Sequence, residues 1–146
     1  MDDEIKEVLL KILETPFNGK KALAFNAINA FKADLENYNV PADKAIEFID
    51  NLTGLFSSID KNISKEEYEI YNYATSNKIS EEQFIDLVNK AKEEKTKEKT
   101  LRRLSKFDFD SKSHLLVYAT VIMSADGRYK KEEIDIIDRI MSIHNF

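Results

Sequence analysis

Apolar residues recur at three- and four-residue intervals along the whole chain, and no stretch alternates them with polar residues between turn dipeptides. That spacing restricts the fold to helices, because only a 3.6-residue period gathers such side chains on one face. The punctuation agrees: 3 Gly and 2 Pro in 146 residues are too few for the tight turns of a sandwich or barrel. A hydrophobic share of 42% over this length supports a core without covalent staples. With no Cys, neither a disulfide framework nor a thiolate zinc site is available. The expectation is an all-α fold: one domain over 1–146, a compact bundle of about seven helices. N-terminal helices fill 1–40 and a duplicated helix-pair region fills 41–146.

Ile5, Val8, Leu9 and Ile12 predict a first helix, ended by the breakers Thr15-Pro16 and Asn18-Gly19. A second runs from about Lys20 to Tyr38 with Leu23, Ala27, Ala30, Phe31 and Leu35 on one face. Pro41 suits the first position of a third, which carries Phe48, Ile49, Leu52, Leu55 and Phe56 and ends near Asp60. Ser64 with Glu67, and Ser80 with Gln83, have capping-box spacing and open a fourth and a fifth helix. Tyr68, Tyr71 and Ala74 face inward from the fourth; the fifth has room to continue into the charged stretch Lys90–Lys106. His114 to Met123 is the most apolar segment and reads as a central helix buried on most sides, ended by Asp126-Gly127. Ile134, Ile137, Ile140 and Met141 give the last helix its stripe.

One element occurs twice. Ser58 to Ile70 lies over Ser124 to Ile136 at a constant offset of 66 positions, which pairs Asp60 with Asp126, Glu66 with Glu132 and Glu67 with Glu133. Each copy follows an apolar helix and opens an amphipathic one, so context repeats along with letters, as an internal duplication would leave it. The Asp falls where a helix ends, beside carbonyls with no intrahelical partner, and the Glu falls in the first turn of the next helix. Carboxylate and carbonyl oxygens suit a hard divalent cation, Ca²⁺ or Mg²⁺. Helix capping explains the same residues otherwise, since first-turn acids accept backbone N–H bonds and favour the helix dipole. Ser64 and Glu67 fit capping fully, whereas in the second copy Lys130 stands at the N-cap and accepts no hydrogen bond. An EF-hand fails on spacing: counted from Asp60 the sixth residue is Lys65 and the twelfth Tyr71, and from Asp126 the third and fifth are Arg128 and Lys130.

The segment Ala119 to Ile134, with Ala125-Asp126-Gly127 and then Glu132-Glu133 opening a helix, resembles the signature of the TerB-like (tellurite-resistance protein B-like) superfamily. The copy at Asp60–Glu67 resembles the degenerate first half of that domain, which also occurs in membrane-anchored J-domain co-chaperones. The resemblance covers roughly residues 45–146. It implies two pseudo-repeated helical halves with the acids of both motifs facing one cation-binding spot. The ligands it implies are Asp126, Glu133, Asp60 and Glu67, with Glu66 and Glu132 as neighbours. It further implies a binding or scaffold module linked to tellurite and other chemical stress and to membrane-associated assemblies of other proteins. The chain departs from the pattern at Lys61, where the second copy has Gly127.

An enzyme is the least supported class. The 2 histidines, His114 and His144, are far apart in sequence, there is no nucleophile motif, and Asn18-Gly19-Lys20-Lys21 lacks the spacing of a phosphate loop. A net charge of −5 opposes broad nucleic-acid binding, and in Lys90–Lys106 the interleaved Glu93, Glu94 and Glu98 predict a solvated helix with i,i+4 pairs. Met1-Asp2-Asp3-Glu4 is acidic where a signal peptide is basic, and no long apolar run follows, so a cytoplasmic chain without membrane insertion is expected. Two functions remain: a cation-responsive module, and a protein-interaction or scaffold domain in which the acids are caps.

Overall fold

The helical period is realised in a computed structural model that describes residues 3–59 and 63–127, together with Asp135 and Asp138. Seven helices cover most of the described residues, and none of these residues forms a strand: α1 (Asp3–Leu13), α2 (Phe17–Asn37), α3 (Ala42–Ile59), α4 (Lys65–Thr75), α5 (Glu81–Ala91), α6 (Glu94–Leu104) and α7 (Phe109–Met123). The all-α expectation holds. The helix that the second acidic motif would open lies outside the described residues apart from Asp135 and Asp138, both helical, so the duplication stands as a feature of the sequence.

Several boundaries differ from expectation for local reasons. Asn18-Gly19 does not break the chain; Pro16, in extended conformation, precedes α2, and its carbonyl accepts the Lys20 N–H at 2.9 Å. Pro41 precedes the third helix rather than opening it, its carbonyl accepting the Ala45 N–H. The charged stretch does not prolong α5. A turn at Lys92–Glu93 separates α5 from α6 without any Gly or Pro. Nor do the expected i,i+4 ion pairs form on α6; among the described residues the Lys–carboxylate salt bridges are Lys6–Asp138 and Lys44–Glu47, and His114 contacts Asp34. The central helix starts five residues before His114, where the Asp108 carboxylate caps the Ser111 N–H at 2.9 Å. Both expected capping boxes, Ser64/Glu67 and Ser80/Gln83, are formed.

α7 is the hub, burying Leu115, Leu116, Tyr118, Ala119, Val121, Ile122 and Met123. α2 packs along α7 and α4, and α3 packs along α5 and α7. α3 and α5 cross closely because residue 54 is Gly: a Cβ there would stand 2.3 Å from the Ala91 Cβ and 3.2 Å from the Leu87 carbonyl. Tyr71, Phe84 and Val88 form a second, smaller apolar cluster between α4 and α5. No helix among the described residues is long and apolar enough to cross a membrane.

Candidate functional site

The end of α7 carries the second motif. Helix geometry leaves carbonyls at this end without intrahelical donors, and those of Thr120, Ile122 and Ser124 accept bonds from the residues that follow. The Thr120 carbonyl accepts both the N–H and the hydroxyl of Ser124, at 3.1 and 2.7 Å. The Ser124 carbonyl accepts the Gly127 N–H at 3.0 Å, and Gly127 itself takes a left-handed φ of +75°, a conformation that favours glycine. The same carbonyl accepts a second bond, at 2.7 Å, from the Nζ of Lys20.

Lys20 is the residue that sequence reasoning missed. It sits in the second turn of α2 and is only 3% exposed. Burial pushes the pKa of its ammonium below the usual lysine range, and the charge of Asp126 works the other way. The signal was present in register, since Lys20 shares the buried face of α2 with Ala24, Ala27, Ile28, Phe31 and Leu35. A lysine on an apolar stripe needs an acceptor, and the open end of α7 supplies one.

A cleft of about 520 Å³ opens beside this contact, between the α1–α2 turn, α4 and the turn after α7. Glu14, Glu66, Glu69 and Asp126 line it together with Lys20. Of the sequence candidates, Asp126 therefore meets Glu66, the residue expected only as a neighbour. Glu67 is fully buried and works as a cap: its N–H donates to the Ser64 hydroxyl at 3.1 Å, and its Oε2 accepts the Ser64 N–H at 3.3 Å. Its charge lies near Tyr118 in the core, where burial first and then Tyr71, Asp50 and Glu67 keep that phenol protonated. Asp60, Lys61, Glu132 and Glu133 lie outside the described residues. Among the described residues no group of three or more His, Asp or Glu is placed to hold a metal ion.

Three other polar clusters join helices. Asp34 on α2 receives the Ser111 hydroxyl at 3.0 Å and faces the His114 Nδ1 at 3.1 Å, all on one carboxylate oxygen. Since Ser111 donates to the acid and not to the imidazole, that trio anchors α2 to α7 without arming a nucleophile. The Tyr71 hydroxyl donates to Asp50 on α3 and accepts from the Asn77 amide; burial raises the pKa of both Asp50 and Tyr71. The Ser111 N–H first, and then the Tyr38 hydroxyl that donates to Asp108 at 2.7 Å, hold the Asp108 carboxyl below its usual range. No family model, no curated protein and no solved structure matches this chain.

Proposed function

We propose that the protein is a non-enzymatic, TerB-like helical module that acts in the cytoplasm by binding other proteins, with its acidic motifs serving as structural caps. The observation that carries this reading is the Lys20–Ser124 contact: a tethered ammonium sits where a divalent cation would find its carbonyl ligand, beside Asp126. Glu67 supports it, since its Oε2 accepts the Ser64 N–H at the start of its own helix. Exposed Val8, Phe25, Tyr38, Ile46, Tyr73 and Phe109 supply apolar surface suited to protein contacts. The setting implied by the resemblance is tellurite and other chemical stress.

A second reading, a Ca²⁺- or Mg²⁺-responsive module, is favoured by one observation: four carboxylates share the 520 Å³ cleft. Calorimetry separates the two. With Ca²⁺ or Mg²⁺ up to millimolar levels the wild type is expected to give no saturable heat, and chelation is expected to leave its melting temperature unchanged. Saturable heat that disappears in Asp126→Asn would overturn the first reading in favour of the second.

A further inference from the structure

The face formed by the α2–α3 turn and the end of α6 combines an apolar floor with basic side chains. A cleft of about 420 Å³ opens there, floored by Leu35, Val40, Phe48 and Phe107, and none of its ten lining residues is acidic. Lys44, Arg103 and Lys106 stand around it. In a chain of net charge −5, a mouth with three cations and no carboxylate is a local inversion of sign. Arg103 and Lys106 form no salt bridge among the described residues, and Lys44 has only Glu47, at 3.5 Å, with both side chains largely exposed. The nearby carboxylate of Asp108 is engaged by the Ser111 N–H and the Tyr38 hydroxyl.

The walls are preformed. Asn39 adopts a left-handed φ of 59°, so the Val40 N–H reaches back to the Leu35 carbonyl at 3.0 Å and α2 ends in a fixed turn. Phe107 is wedged among Phe31, Phe48 and Tyr38 at centroid distances of 5.4, 5.4 and 5.9 Å. Those neighbours meet the ring edge-on or tilted and hold it as a fixed part of the cleft wall. Three charges around an apolar floor also differ from the extended basic track that a phosphate backbone needs.

We infer that this cleft docks an acidic amphipathic segment of a partner protein, its apolar side chains entering between Val40 and Phe107 and its carboxylates meeting Lys44, Arg103 and Lys106. The inference rests on the protein-binding reading above and names the surface and the chemistry of the partner. Apolar anchors in a pocket with complementary charges at the rim are the usual form of helix-in-groove recognition.

The test uses the full chain and a fluorescein-labelled helical peptide with Leu on one face and Glu elsewhere, followed by anisotropy. Saturable binding is expected, weakened about tenfold by Arg103→Glu/Lys106→Glu and weakened also by added salt. Lys106→Glu alone, at an exposed position, is expected to weaken binding without disturbing the fold, and replacing the peptide's Leu by Ser is expected to abolish it. Undiminished binding to the variants, equal binding of the Ser peptide, or tighter binding of a single-stranded oligonucleotide would overturn the inference. Undiminished peptide binding would remove only this cleft, whereas the cation heat described above would remove the protein-binding reading itself.

Discussion

A single lysine shows how a residue changes the meaning of a motif. Asp126-Gly127 was legible from the sequence as a helix end, and Gly127 does adopt the left-handed turn expected of it. What the letters did not show is that Lys20, over a hundred positions away, delivers its ammonium to the carbonyl at that end. Periodicity says which face of α2 is buried but not what lies opposite, so the partner of a buried charge stays hidden until the helices are packed. The consequence for stability has a definite sign. The folded-state pKa of Lys20 lies below its unfolded value of 10.5, so the folded chain releases this proton first. Its unfavourable contribution is therefore present in full at low pH and fades as pH rises through the folded pKa toward 10.5. Thermal melts of wild type and Lys20→Met are expected to change in the wild type's favour as pH climbs from 7 to about 10. A difference in melting temperature that stays constant over that range would show that Lys20 is not desolvated in solution.

At the scale of elements, legibility follows the strength of the local signal. The capping boxes at Ser64 and Ser80 were read correctly because a side-chain hydroxyl and a carboxylate or amide three residues apart satisfy each other within one turn. Asn18-Gly19 misled, since glycine in a first helical turn costs only about 1 kcal/mol and the packing of α2 on α7 overrides it. The α5–α6 break was missed for the opposite reason: Lys92-Glu93 carries no breaker, and the turn is imposed by the packing of both helices against α3. Gly54 is the element-scale feature with the sharpest consequence. An alanine in its place would improve helix propensity, yet its methyl would lie 2.3 Å from the Ala91 Cβ and 3.2 Å from the Leu87 carbonyl. Neither neighbour is a flexible side-chain end, so α3 and α5 would have to separate. Gly54→Ala is expected to cost about 1–3 kcal/mol in denaturant melts. An unchanged or raised midpoint would mean that the α3–α5 crossing does not depend on glycine at this position.

Across the whole molecule, burial is unevenly shared, and this sets where the fold opens first. Ten residues of α7 are buried, including Tyr118, whose hydroxyl lies 2.6 Å from that of Thr53 on α3. α6 buries only Thr100 and Leu104, and its lysines and arginines form no salt bridge among the described residues. Residues with few buried contacts open locally at low free energy, whereas those at the centre of the packing exchange only when the whole domain unfolds. The sequence made half of this visible, because the apolar run from Leu115 to Met123 marked the hub directly. The weak attachment of α6 was obscured by the expectation of i,i+4 ion pairs, which do not form when neither partner is held by its surroundings. Native-state hydrogen exchange should therefore protect the amides of α7 most and those of α6 least, with α2 and α3 close to α7. Since Arg103 and Lys106 belong to α6 and the turn after it, a bound acidic peptide should raise protection in α6 more than in α7. A rise confined to other helices would place the partner on a different face, and equal protection of α6 and α7 without peptide would show that burial does not order the opening of this fold.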